Sequence, residues 1–164
     1  MNSYPQPNQA RPPRFRPPLE GCVAKDRYLS RALESCYIDS FASIAANIYR
    51  SLTNAGRDRT AADAFDAIAT EELENFRTLG ELILALGGEL SFGIGTRGRG
   101  RSGMRYETDP VRAALQSAQA ERQRNIDRYE TLMSRTGDRV VRSVLAGLLS
   151  SERRMYERLN ALSE

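Results

Sequence analysis

Histidine is absent from this 164-residue chain, which removes the commonest general base and the commonest transition-metal ligand together. Cysteine is scarce. Cys22 and Cys36 form no pair motif, so free buried thiols are expected and not a disulfide. No stretch approaches the roughly 18 uncharged apolar residues of a membrane span. The N-terminus lacks the apolar core of a signal peptide, and a cytoplasmic protein is expected. Lysine occurs once against 23 arginines, a bias to which no function is attached.

What is present suits one domain: 40% of residues are hydrophobic and 27% charged, enough to bury a core in a chain of this length. Positive charge gathers in two places. Arg11, Arg14 and Arg16 lie in a Pro-rich stretch, and Arg97, Arg99, Arg101 and Arg105 lie in a Gly-rich one. These seven charges stand against a net +3 and leave the rest of the chain about −4. Residues 1–19 are too rich in proline and too poor in apolar side chains to fold alone, and a disordered or extended tail is expected.

From residue 20 to residue 164 the pattern is helical. The first helix runs from Lys25 to about Asn54, with Leu29, Leu33, Cys36, Ser40, Ile44, Asn47 and Ser51 along its inward seam. The second runs from Thr60, the expected N-cap, to the stop at Gly87-Gly88, with Phe65, Ile68, Glu72, Asn75, Leu79, Leu82 and Leu86 inward. A Gly/Arg-rich crossover of about residues 89–108 follows. Asp109-Pro110 opens the third helix, with seam Leu115, Gln119, Arg122, Ile126, Tyr129 and Met133. After a turn at Gly137-Asp138 the fourth carries Val141, Leu145, Leu148, Glu152, Met155, Leu159 and Leu162. Alternating steps of three and four fit near-parallel packing, so the fold class is an all-α four-helix bundle of two helical hairpins joined by a long crossover loop.

Each seam turns polar near its middle, at Ser40, at Glu72 and Asn75, at Arg122, and at Glu152 with Met155 one turn on. Burying an unpaired charge costs several kcal/mol, so these groups are expected to meet. Here the chain resembles the ferritin-like superfamily, in particular the small rubrerythrin-like and manganese-catalase-like proteins of spore-forming Firmicutes. The resemblance rests on IATEELENFRTLGELILALGG (residues 68–88), on SSERRMYERL from Ser150, and on the third-helix stretch holding Ile126 and Tyr129. It covers roughly residues 20–162.

In that family each half of the bundle contributes a Glu and a Glu-x-x-His that point inward to hold two irons or manganeses. Carried over, the first-helix Glu falls on Ser40, in YIDSFASIAANIY. The second-helix Glu is kept as Glu72, with Asn75 where its histidine would stand. The third-helix Glu falls on Arg122 when Ile126 and Tyr129 hold the register, with Glu121 one residue off the seam as a candidate substitute ligand. The fourth-helix Glu is kept as Glu152, and its histidine becomes Met155. The resemblance implies oxidase, peroxidase, catalase or iron-storage chemistry, and the degenerate ligand set argues against it. No catalytic residue, metal or other cofactor is therefore expected, and Arg122 is expected to take the metals' electrostatic place by pairing with Glu72 and Glu152. The alternative register turns Glu121 inward and Arg122 to solvent. Plainer readings stand beside these: Ser40 and Asn75 as hydrogen-bonded seam residues, Met155 as core filler, Tyr129 as core.

Three functions follow in order of preference. The first is a non-catalytic structural or interaction scaffold. The second is an atypical protein holding iron or manganese through Glu72, Glu152 and Glu121, in a redox or metal-handling role. The third is nucleic-acid binding through Arg97, Arg99, Arg101, Arg105 and Tyr106, a weak signal in a chain whose body is mildly acidic. By resemblance the partner is a second copy or another protein, with no membrane, and some relatives are spore-associated.

Overall fold

Three aspartates start three of the four helices in the computed structural model, which describes Leu19, residues 23–90 and residues 110–163. Asp26 caps α1 (Arg27–Asn54), its carboxylate accepting from the N–H groups of Tyr28 at 3.0 Å and Leu29 at 2.9 Å. Asp58 caps α2 (Arg59–Ala85) through the Ala61 N–H at 2.9 Å. Pro110 opens α3 (Pro110–Arg135), where its missing N–H leaves nothing unbonded. Asp138 caps α4 (Arg139–Asn160) through Val140 at 2.8 Å and Val141 at 3.1 Å. Thr60 is therefore not the cap expected of it; it sits inside the first turn. Asp58, extended at φ −143°, supplies a charged acceptor to the positive end of the helix instead.

Gly87 ends α2 at φ +84°, a conformation that costs glycine little. Gly88 then donates to Ile83 O at 2.9 Å. A Cβ at Gly88 would lie 2.8 Å from Ile83 Cγ2 and 2.9 Å from Ser30 Cβ, so the glycine lets this end of α2 close onto the start of α1. Asp26 N to Leu86 O and Lys25 Nζ to Ala85 O, both 3.1 Å, fasten the two ends.

α1 packs on α2 and α3 on α4, and the two hairpins meet through α2 with α4 and α1 with α3. The all-α bundle of two hairpins is the fold observed, with no strand among the described residues. No described helix is long and apolar enough to cross a membrane. Residues 1–18, 20–22, 91–109 and 164 lie outside the described residues, and with them most of the expected tail and crossover, Cys22, Arg97, Arg99, Arg101, Arg105, Tyr106 and the expected cap Asp109.

The core is divided. One cluster joins Leu33, Leu79, Leu82, Ile83, Tyr129 and Leu145, at the end where α2 stops and α4 begins. A smaller one joins Phe65, Ile68, Leu115, Met155 and Leu159 at the other end. Fully burying each of these side chains contributes about 1.5–3 kcal/mol. On every helix the residues between the two clusters include buried polar ones: Ser43 and Asn47 on α1, Glu72 on α2, Arg122 on α3, Glu152 on α4.

Candidate functional site

Arg122 lies at the centre of this polar layer with no exposed surface, and Glu72 and Glu152 are each only 2% exposed. Its Nη2 stands 2.5 Å from Glu72 Oε1 and donates to Ser43 Oγ at 2.6 Å. Its Nη1 donates to Glu152 Oε2 at 3.0 Å and lies 4.0 Å from Met155 Sδ. The second oxygens of the carboxylates are also occupied. Asn47 Nδ2 donates to Glu72 Oε2 at 2.7 Å, and Asn125 Nδ2 to Glu152 Oε1 at 3.3 Å. Only Arg122 Nε, among the buried atoms of this cluster, has no protein partner.

A second arginine extends the network towards solvent. Arg50 Nη1 donates to Asn47 Oδ1 at 2.7 Å, and its two nitrogens grip Glu121 at 2.7 and 3.1 Å. Ser43 Oγ also donates to Glu121 Oε2 at 3.2 Å, so Ser43 links the two arginine-carboxylate groups. A cleft of about 300 Å³ between α1 and α3 borders this layer, lined by Ser43, Glu121, Arg122 and Asn125 among others.

The electrostatics follow from one cation held against two buried carboxylates. Burial alone would depress the Arg122 pKa, but Glu152 and Glu72 outweigh it and hold the guanidinium above its ordinary value. Glu152 goes the other way. Burial, with the negative charge of Glu72, raises it to about 7 against the pull of Arg122 and Asn125. Taking up one proton there makes the Arg122–Glu72–Glu152 group neutral. Burial also raises Glu121, yet the bonds and charge of Arg50, helped by Arg122, leave it below the usual carboxylate range. Tyr129, in the neighbouring apolar cluster, is raised well above 10, by burial first and by Glu152 second. Burial likewise raises the free thiol of Cys36.

The structure thus brings Arg122, Glu72, Glu152 and Met155 together and places the three other positions away from the centre. Ser40 is buried, but the α1 hydroxyl that reaches the centre is Ser43, almost a turn further on. Asn75 does not reach it, although three residues on from Glu72 leaves it only about 60° away around the helix. It donates to Ser151 Oγ at 2.9 Å beside Glu71, in a groove of about 490 Å³ between α2 and α4. Glu121 does not turn inward as a substitute ligand, because Arg50 holds it at the rim. Sequence reasoning missed Ser43 and Arg50 altogether. Their signal was their spacing, four residues before and three after Asn47.

Four helices in two hairpins around a buried polar layer define the architecture of the ferritin-like bundles. Comparison with solved structures shows the same fold. The chain is similar to Mycobacterium tuberculosis bacterioferritin BfrA, at 14% identity and a TM-score of 0.68 over 85% of this chain and 86% of that one. It is similar also to a second mycobacterial bacterioferritin structure, at 15% identity and a TM-score of 0.66 over 85% and 84%. At such identities the likeness shows the fold. No family model and no curated protein matches the chain.

Proposed function

We propose that this is a ferritin-like protein in which an arginine ion pair stands where relatives of the rubrerythrin-like kind would hold two metals, and that it acts in the cytoplasm as a non-catalytic scaffold. One observation carries the reading: a fully buried guanidinium sits within 2.5 Å of Glu72 and 3.0 Å of Glu152. Those carboxylates are the retained ligand positions, and their charge is already countered by a fixed cation. The donor set does not fit a di-metal centre. Asn47, Asn125 and Arg122 all present hydrogens to the carboxylate oxygens that a metal would need as lone pairs. Holding iron or manganese through Glu72, Glu152 and Glu121 would require both Arg122 and Arg50 to release their partners.

Metal analysis of the purified full-length chain after dialysis against a chelator tests this. Iron and manganese should be well below one per chain, with no ferroxidase or catalase activity. One tightly held metal per chain would overturn the proposal.

A further inference from the structure

The groove of about 490 Å³ between α2 and α4 has an acidic wall and an apolar floor. Glu71, Glu74 and Glu81 stand along its α2 side, against a single cation, Arg154, on α4. Arg154 is held by Glu71 at 2.7 Å, and Glu81 has no partner among the described residues. Val144 and Leu148 line the floor. Gly147 lies between them with nothing within 4 Å of where its Cβ would stand. A glycine in mid-helix costs roughly 1 kcal/mol relative to alanine, and no packing neighbour requires this one. Its effect is to leave the floor open.

Leu19 lines the same groove without belonging to either helix, and it packs on the larger apolar cluster, at the end where α2 stops. Residues 1–18 lead into the groove at that point. They carry Arg11, Arg14 and Arg16 and no acid, so their charge complements the wall. Four of the eight residues from Arg11 to Pro18 are prolines, which favour an extended three-fold helix and bring no N–H to be stranded on an apolar floor. At about 3.1 Å per residue, Arg16 lies about 9 Å and Arg14 about 16 Å back from Leu19. Along α2, at about 1.5 Å per residue, Glu74 lies about 10.5 Å and Glu71 about 15 Å from Glu81. The spacings match.

We propose that the segment Arg11–Pro18 lies in this groove of its own chain, running from the Glu81 end towards Glu71, with Arg16 and Arg14 against Glu74 and Glu71. In a three-fold helix Phe15 takes a different edge from the arginines on either side, so its ring faces the floor at Gly147 while they reach the rim. The crossover is the other arginine-rich segment, but it leaves the bundle elsewhere. Leu90, just ahead of it, stands 3.5 Å from the Cβ position of Gly80, which is also 3.3 Å from Tyr37 of α1. That is the α1 side of α2. The docked segment does not depend on what the Arg122 layer holds.

The chain has no tryptophan, so Phe15→Trp places a single reporter in the segment. In the folded full-length chain its emission should lie at shorter wavelength than in urea, and acrylamide should quench it several-fold less. Gly147→Arg adds bulk and like charge where a side chain has room and helix propensity improves. The bundle should stay helical by circular dichroism while the tryptophan becomes as accessible as in urea. Glu74→Lys combined with Glu81→Lys should act in the same direction, and so should about 1 M salt. Docking within one chain is unimolecular, so protection should hold through about a hundredfold dilution. A tryptophan already fully accessible in the folded chain overturns the proposal. So does protection that survives Gly147→Arg, which would put the segment elsewhere on the bundle, or protection lost on dilution, which would make the occupant the tail of a second copy. If Gly147→Arg unfolds the bundle, the double lysine variant decides by the same readout.

Discussion

Along the second half of α1 the inner face carries Ser40, Ser43, Asn47 and Asn54, and the outer face carries Phe41, Ala45, Ile48 and Leu52. A helix at the edge of a bundle ordinarily shows the opposite order. The inner face is polar because it lies against charge. Ser43 accepts from Arg122, and Asn47 satisfies Glu72 on one side and Arg50 on the other. Apolar side chains there would leave buried ions without partners, at several kcal/mol each. The outer face meets no such charge, and its apolar character is free to serve contact with another surface. Hydrophobicity therefore marks the inside of a helix only where the neighbouring helices are themselves apolar.

Removing the charge is the strongest way to break this comparison. Arg122→Met should destabilise the chain by roughly 3–5 kcal/mol in urea unfolding at neutral pH, because two buried carboxylates lose their cation. Adding Glu72→Gln and Glu152→Gln should restore part of that loss. A change within about half a kcal/mol for Arg122→Met would mean that the arginine is not part of the interior.

The proton on Glu152 has the next largest effect. Its carboxyl titrates near 7 when folded and near 4.5 when unfolded, so between those values the folded chain holds a proton that the unfolded chain has released. Stability from this group is complete below about 4.5 and falls as pH rises to about 7, by at most about 1.4 kcal/mol per unit. Glu152→Gln should flatten that slope. Urea midpoints measured across the window would count against the account if wild type and variant ran parallel.

Smaller effects separate the two faces of α1 directly. Asn47→Leu makes the inner face apolar, as sequence intuition would have it, yet should cost about 1–3 kcal/mol by stranding Glu72 Oε2. Leu52→Ser makes the outer face polar and, in solutions dilute enough to hold single chains, should cost less than about 0.5 kcal/mol. Equal costs for the two would erase the distinction.

The same inversion explains what could be read in the sequence and what could not. Leu79, Leu82, Leu145 and Leu148 fall on plain three-four seams between apolar neighbours, and the all-α bundle follows from such stretches. Glu72, Arg122 and Glu152 were legible because a charge on an apolar seam stands out. Ser43 and Arg50 were not, because on α1 the seam itself is polar and carries no contrast. Ile44, read as inward, is half-buried while its neighbour Ser43 takes the central place. Asn75 was placed inward by the three-four seam of α2, and spacing along a helix does not say which neighbour a side chain will meet.

The position of the charged layer also limits how the helices can slide. Aliphatic seams tolerate a shift of one turn along a neighbour, since leucine packs on leucine almost as well one level up. Glu72, Arg122 and Glu152 do not, for a displacement of about 5.4 Å would separate each ion from the counter-charges it pairs with. The layer therefore acts as a key that admits a single axial alignment of three helices, in the way a lone buried asparagine fixes the stagger of a coiled coil. Whatever it contributes to net stability, it makes the misaligned bundle expensive.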